Sequence, residues 1–118
     1  MDNEDVMNIV IEIPSDERIL KEGVLRTVRL NKKPLRFVLK YALTEKGLWT
    51  RNKRTFFLKP KTTFIPYSDI EFYESTVFMD AACLLFHPKG REPYNALYFD
   101  DPDGACAVFG TYVAKKPE

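Results

Sequence analysis

The chain has 118 residues, of which 45% are hydrophobic and 30% are charged, a composition that is typical of one globular domain and excludes a disordered chain. No apolar run approaches the roughly 18 residues of a membrane-spanning helix. The acidic start of the chain differs from the basic start of a secretory signal peptide, so we expect a cytoplasmic location.

The net charge of +1 conceals a segregation of charge along the chain. Residues 1–17 hold six acids and neither Lys nor Arg, residues 18–61 hold fourteen bases against two acids, and residues 62–112 hold two bases against eight acids. This segregation predicts a basic surface for an anionic partner. The alternative is that the basic half pairs with the acidic half, within the domain or in another subunit.

Few residues have the pattern of a catalytic or metal site. Cys83 and Cys106 stand in apolar surroundings, which predicts two reduced, buried thiols. The single histidine, His87, precedes Pro88 at a predicted strand end, where a surface residue is expected rather than a ligand or base. No Ser or Cys nucleophile forms a recognisable pattern with it, and there is no Gly-rich phosphate loop. We therefore expect no catalytic residue, metal or cofactor.

An N-terminal arm, residues 1–16, precedes the predicted domain at residues 17–118. Residues 6–13 of the arm are rich in β-branched side chains and end at Pro14, which predicts a short strand. A short amphipathic helix is the alternative. The apolar residues with which such a strand would contact another chain are Ile9, Val10, Ile11 and Ile13.

The start of the domain is predicted to be one helical turn followed by a strand. Residues 15–22 can form the turn, with Ser15 as its cap and Gly23 at its end. Residues 24–30 are then expected to form the first strand of the barrel.

The clearest pattern in the sequence is a hairpin. Residues 35–44 alternate between two faces, which is typical of a half-buried strand. Residues 44–47 form a turn in which Gly47 is available for a positive φ, and residues 48–51 return as the next strand. The residues on one face of the first strand are Leu35, Phe37, Leu39, Tyr41 and Leu43.

The following strand is predicted to be interrupted. It runs over residues 55–59, stops at Pro60 and resumes at residues 62–66. Since proline cannot donate a ladder hydrogen bond, Pro60 and Pro66 favour an edge strand or a bulged bend. The remaining predicted elements are a turn at 67–69, a short strand at 70–75, a turn at Met79 and Asp80, a buried strand at 82–86, a loop at 88–93 and a last strand at 96–99.

The end of the chain changes to helical spacing. Asp101 can act as the N-cap and Pro102 occupies the first helical position, so a helix is predicted over about residues 102–115. We expect this helix to cover an open end of the barrel. Its apolar stripe consists of Ala105, Val108, Phe109, Tyr112 and Val113.

Three segments of the chain, ERILKEG at 17–23, YALTEKGLW at 41–49 and FIPYSDI at 64–70, resemble the bacterial pleckstrin-homology-like (PH-like) and GRAM-like domains. The resemblance implies a seven-stranded, bent and partly open barrel of two roughly orthogonal antiparallel sheets, capped by a C-terminal helix. It implies no catalytic residues. Bacterial members of the family look like self-assembling or partner-binding modules, so phosphoinositide recognition does not follow from the fold.

These observations lead to a non-enzymatic interaction or assembly module as the first hypothesis. The N-terminal arm would add a strand to a sheet edge of a protein partner or of a second copy, and the opposite charge blocks would set its register.

The alternative hypothesis is binding to an anionic lipid headgroup or membrane surface, for example peripherally at the inner face of the membrane. If the strands alternate in direction, two basic turns emerge at the same end of the barrel. Nucleic-acid binding is not expected, because the aromatic residues of this half, Phe56 and Phe57 among them, fall mostly at positions compatible with a core. The basic residues expected to gather at that end are Lys32, Lys33, Arg36, Arg51, Lys53 and Arg54.

Overall fold

Seven β-strands form the body of the protein in a computed structural model that describes residues 3–30, 36–93 and 95–117. Two short helices flank the strands, α1 (Asn3–Met7) and α2 (Pro102–Phe109). The prediction of a mainly β chain with seven strands and a C-terminal helix is confirmed. The strands are β1 (Ile19–Arg29), β2 (Arg36–Thr44), β3 (Gly47–Asn52), β4 (Thr62–Pro66), β5 (Ile70–Phe78), β6 (Ala81–Pro88) and β7 (Asn95–Phe99).

All seven strands pair antiparallel in the order β4-β3-β2-β1-β7-β6-β5. β1 pairs with β2 over residues 19–28, but with β7 only over residues 25–29. The chain passes from β4 at one edge to β5 at the other through the three residues Tyr67–Asp69, so the two edges meet at this corner and the sheet curls into a half-barrel. The described residues form one continuous sheet, and the expected division into two roughly orthogonal sheets remains a prediction.

The concave side of the sheet holds the core, which α2 closes at one end. Phe109 of α2 is fully buried. Its ring lies 5.0 Å from that of Tyr73, 5.1 Å from that of Phe86 and 6.0 Å from that of Phe99, measured between centroids. The predicted role of the helix as the cover of an open barrel end agrees with this packing. The other main core residues are Leu25, Tyr41, Leu43, Leu48, Tyr67, Ile70, Leu84 and Leu97.

α2 begins as predicted but ends earlier than expected. The carboxylate of Asp101 accepts a hydrogen bond from the backbone N–H of Gly104 at 3.1 Å, and Pro102 is the first helical residue. The helix ends at Phe109, because Gly110 terminates it and favours a turn over further helix. The prediction of a helix to about residue 115 is therefore wrong at its C-terminal end.

The residues after α2 run beside β5 instead of continuing the helix. The N–H of Tyr73 donates to the carbonyl of Ala114 at 2.9 Å, and the N–H of Lys116 donates to the carbonyl of Tyr73 at 2.7 Å. Val113 remains buried, so the predicted stripe still reaches the core at that position. This short parallel pairing covers part of the β5 edge.

The N-terminal predictions need two corrections. Residues 6–13 do not form a strand: α1 ends at Met7 and residues 8–14 form neither helix nor strand. A strand needs a free partner edge, and β1, β2 and β3 are each already paired on both sides. The predicted helical turn at 15–22 is also wrong beyond its first residues, because β2 continues opposite β1 and residues 19–23 join that ladder.

The central hairpin of β2 and β3 is confirmed, although the reason for its glycine is different. Gly47 has no positive φ; it is the first residue of β3. A Cβ at this position would collide with the carbonyl oxygen of Ile65 and with Pro66 in β4. Glycine is thus required here by the close approach of the neighbouring strand.

The later elements follow the predictions with shifted bounds. β4 is an edge strand, as its prolines predicted, but residues 55–59 are a loop rather than a strand. The predicted turn at Met79 and Asp80 is confirmed, and both residues have positive φ, 53° and 63°. β5 extends to Phe78 and β6 to Pro88, so this hairpin is longer than expected.

Candidate anion-binding surface

The register of the strands determines which loops share an end of the sheet. Val28 of β1 pairs with Arg36 at the start of β2, and Leu39 of β2 pairs with Asn52 at the end of β3. The end of β1, the start of β2 and the start of residues 53–61 therefore lie at the same end of the sheet, which we call the basic end. α2 lies toward the other end, where the ammonium of Lys21 near the start of β1 is 2.9 Å from the carboxylate of Asp101.

The structure brings three of the six predicted anion-binding residues together at the basic end. The guanidinium of Arg51 donates to the hydroxyl of Thr62 at 2.6 Å. The ammonium of Lys53 lies 3.0 Å from the carboxylate of Asp5, and Arg54 is exposed. Lys32 and Lys33 lie outside the described residues; Arg36 begins β2, and its side chain is outside the description as well.

The loop between β3 and β4, residues 53–61, carries two exposed phenylalanines at its tip. The N–H of Thr55 donates to the carbonyl of Leu58 at 2.9 Å, and the N–H of Leu58 returns a hydrogen bond to the Thr55 hydroxyl at 3.0 Å. Phe56 and Phe57 occupy the two central positions of this closed turn and are 95% and 93% exposed. Their rings pack edge to face, with centroids 5.0 Å apart.

The prediction that the aromatic residues of this half fall mostly at core positions is therefore wrong for Phe56 and Phe57. A signal in the sequence opposed it: consecutive residues of a strand point to opposite faces, so Phe56 and Phe57 cannot both point inward from one strand. Pro60 also limits the length of any strand at this place.

A buried asparagine holds the neck of loop 53–61. The Asn52 side chain donates to the carbonyl of Lys53 at 3.2 Å and to that of Lys59 at 2.9 Å, and its oxygen accepts from the N–H of Lys61 at 2.8 Å. The residue is 8% exposed, so these bonds lie largely out of water, where they fix geometry more firmly. Asn52 could not be identified from the sequence, since no sequence pattern links it to residues seven and nine positions away.

The N-terminal arm lies on its own domain. α1 packs against β1 and β2, and Val6 is fully buried. The ammonium of Lys40 donates to the carbonyl of Met7 at 3.2 Å, which adds to the ion pair of Asp5 with Lys53. The arm thus covers the sheet near the basic end.

The C-terminal end of the arm also contacts the domain, at the hairpin of β2 and β3. Asp16 lies 2.7 Å from the ammonium of Lys46, and this hydrogen-bonded pairing lowers the pKa of the Asp16 carboxyl. The Glu17 carboxylate accepts from the indole of Trp49 at 3.0 Å and from the hydroxyl of Thr44 at 2.8 Å. These contacts join acids of the arm to bases of residues 18–61. The alternative of pairing between the basic half and the acidic half is seen in the ion pair of Lys21 with Asp101.

The four arm residues predicted to contact another chain alternate in exposure. Ile9, Ile11 and Ile13 are half-buried, whereas Val10 is 74% exposed. The period-two pattern of the sequence is present in the burial of these side chains, although no strand forms. The three isoleucines thus lose part of their surface to their own domain, and Val10 remains accessible.

His87 and Glu74 form a structural contact between β6 and β5. His87 lies one residue before the end of β6, and its side chain is only 18% exposed, so its expected position is confirmed but its surface location is not. Its Nε2 is 2.8 Å from the carboxylate of Glu74, and this hydrogen bond holds the pKa of Glu74 below its usual value. The ring of Phe72 packs on the imidazole with centroids 4.4 Å apart.

The two cysteines are free thiols. Cys83 is buried and Cys106 half-buried, and burial raises the pKa of each, which makes both poorer nucleophiles. Across residues 3–30, 36–93 and 95–117, no group of three His, Cys, Asp or Glu residues is placed to hold a metal ion.

No protein-family model matches this chain, and no curated protein matches it. In the described part of the chain, neither helix has the length and apolar character that a membrane crossing requires.

Proposed function

We propose that this protein is a non-enzymatic binding module that binds an anionic lipid surface through its basic end. The observation that carries the proposal is loop 53–61, which contains four bases and no acid around two phenylalanines more than 90% exposed. The two adjacent rings form an exposed apolar patch rimmed by charged residues, and such a patch indicates a binding surface. The four bases are Lys53, Arg54, Lys59 and Lys61.

Electrostatics support the same surface. Each Lys or Arg close to an acidic bilayer contributes about 1 kcal/mol of attraction, which salt screens over a Debye length of about 8 Å at physiological ionic strength. Residues 62–112 carry a net charge of −6, so the molecule has an acidic part as well as a basic part. Such a charge distribution would orient the basic end toward an anionic surface before contact.

The proposal also includes the fold family. The strand order, with β1 paired to β2 along its length and to β7 along one half, supports a PH-like barrel whose sheet bends at β1 into two roughly orthogonal parts. An experimental structure that is superimposable on PH-like barrels would agree with this assignment, and a flat sheet would contradict it.

Vesicle co-sedimentation tests the binding function. The protein should sediment with vesicles of phosphatidylcholine and phosphatidylserine, and far less with vesicles of phosphatidylcholine alone, and added salt should weaken the binding. Equal binding to both, or binding to neither, would contradict the proposal.

Two matched charge reversals refine that test. Arg54→Glu should weaken binding to acidic vesicles roughly tenfold, because it removes one attraction and adds one repulsion at the basic end. Lys89→Glu makes the same change of net charge at an exposed residue whose N–H bonds to the carbonyl of Asp69, away from the basic end. It should leave binding nearly unchanged, and equal losses from both variants would show that net charge, not a surface, is responsible.

Self-association is the second candidate function, and the exposure of Val10 in the unpaired segment 8–14 favours it. An extended apolar segment can pair with a sheet edge of a second copy, and β4 is an edge of the sheet. If this occurs, light scattering should give a mass above that of the monomer, and Val10→Glu should lower it. A monomeric mass for both the wild type and the variant would contradict self-association.

A further inference from the structure

We infer that loop 53–61 is a preformed membrane-inserting element, in which Phe56 and Phe57 enter the apolar boundary of an acidic lipid bilayer while the bases behind them remain at the phosphates. This inference rests on the proposed function and goes beyond it. The proposed function requires only charge attraction at the membrane surface, whereas insertion requires contact between the two rings and acyl chains.

The first support is the order of side chains along the loop. The two phenylalanines are at the tip, and the bases are at positions nearer the sheet. From the water inward, a bilayer presents first the anionic phosphates and then the apolar acyl chains. A loop that approaches it tip first would therefore place its phenylalanines in the apolar region and its bases at the phosphates. Interfacial protein segments use this arrangement, with aromatic or aliphatic side chains a few ångströms into the acyl boundary and Lys or Arg at the headgroups. The bases of the loop thus match the phosphate layer of the bilayer, and its phenylalanines match the acyl boundary below.

The second support is that the loop conformation is already determined in the free protein. Asn52 joins both sides of the neck through Lys59 and Lys61, and the paired hydrogen bonds of Thr55 with Leu58 close the tip. An ordered loop loses less conformational entropy on binding than a mobile one. The two rings are therefore held outward without needing a rearrangement on contact with lipid.

The third support is the absence of a structural reason for the two rings. With exposures of 95% and 93%, they add almost nothing to the burial of apolar surface within the domain. Leu58, the neighbouring apolar residue of the loop, is 38% exposed and so has partly turned back toward the protein. The fold of the domain therefore does not explain why two phenylalanines are exposed at this position.

The experiment compares two double variants on vesicles of phosphatidylcholine and phosphatidylserine. Phe56→Ser with Phe57→Ser should lower the partition coefficient roughly tenfold or more, because the apolar contribution to binding is lost. Val77→Ser with Ile19→Ser removes two apolar side chains that are 67% and 46% exposed elsewhere, and should lower it little. Thermal unfolding of both variants should match that of the wild type, which separates a binding defect from a folding defect.

A fluorescent substitution reports insertion directly. The indole of Phe57→Trp should shift its emission to the blue on acidic vesicles and be quenched by phospholipids brominated on the acyl chain. The wild type supplies the baseline, since its single tryptophan, Trp49, lies in β3 with its indole bonded to Glu17.

The outcomes separate insertion from the proposed function. If the wild type does not bind acidic vesicles, the proposed function fails and the inference fails with it. If the wild type binds in a salt-sensitive manner, but the double serine variant binds equally well and the new indole is not quenched, the function stands and insertion is overturned. A wild-type dimer that the double serine variant converts to a monomer in the absence of lipid would also overturn it, because the rings would then serve a second copy.

Discussion

At the end of the sheet covered by α2, the ring of Phe109 is fully buried among three other aromatic rings, while at the basic end the rings of Phe56 and Phe57 are more than 90% exposed. Phenylalanine thus contributes to the core at one end of the sheet, whereas at the other end it makes almost no contact with the core. The difference shows that residue type alone does not indicate function. Apolar residues become informative when the fold leaves them in water as a contiguous patch, as it does Phe56 and Phe57.

The largest expected effect is the loss of the buried ring. Phe109→Ala should lower the free energy of unfolding by about 3–5 kcal/mol, because it removes apolar contacts and leaves a cavity under α2. Urea denaturation measures this change. Phe57→Ala is the matched substitution at the basic end and should change stability by less than about 0.5 kcal/mol. Similar losses from both variants would remove the contrast between the two ends.

The next effect concerns the neck of loop 53–61. Asn52→Ala should lower the free energy of unfolding by about 1–2 kcal/mol, since the backbone groups of Lys59 and Lys61 lose their partner. The loop should also become more sensitive to trypsin at its basic residues. Asn8→Ala, at an exposed asparagine of the arm, is the control and should change neither measurement. An unaltered loop in the Asn52 variant would mean that the neck is held by other contacts.

A smaller effect is expected at the start of α2, which closes the other end. Asp101→Ala should lower the melting temperature by about 4 °C, because the N–H of Gly104 loses its acceptor and Lys21 its ion pair. Asp101→Asn keeps an acceptor for the N–H and should lose less. If the two variants melt together, the charge pairing with Lys21 rather than the cap carries the contribution.

The smallest effect is the dependence of stability on pH through Glu74, which faces His87 and Lys116. Its pKa is lowered in the folded protein, so its contribution is present above the ordinary value of 4.5 and is lost as the pH falls from there through the lowered value. Glu74→Gln should therefore reduce the loss of stability on acidification by less than about 1 kcal/mol. Denaturation at a series of pH values measures it, with Glu71→Gln on the same strand as the control. A larger loss of stability on acidification in the Glu74 variant than in the wild type would contradict this prediction.

Several elements could be predicted because their causes are local. The alternation of residues 35–44, the pair Asp101 and Pro102, and the prolines around β4 each act within a few residues of the chain. The β2–β3 hairpin likewise follows from the turn residues between its strands. These signals were enough for the fold class, the edge position of β4 and the start of α2.

The errors occurred where a distant segment decides the conformation. Residues 19–23 could form a helical turn by themselves, but they extend β1 because β2 offers them a ladder. Residues 6–13 have the composition of a strand, yet each strand beside them is already paired. At the candidate surface, Arg51, Lys53 and Arg54 lie at one end of the sheet, and their gathering with Lys32, Lys33 and Arg36 stays a prediction. The neck formed by Asn52 and the exposure of Phe56 and Phe57 were missed.

By itself, the amino-acid sequence determined that this chain builds a mainly β domain with a basic first half and a helix after its last strand, since periodicity, capping and charge are properties of neighbouring residues. The tertiary structure alone decided that the sheet curls until β4 and β5 meet, that the arm lies on its own domain, and that Phe56 and Phe57 stay in water while Phe109 does not. Burial and long-range pairing depend on which distant segments come together, and no local pattern contains that information.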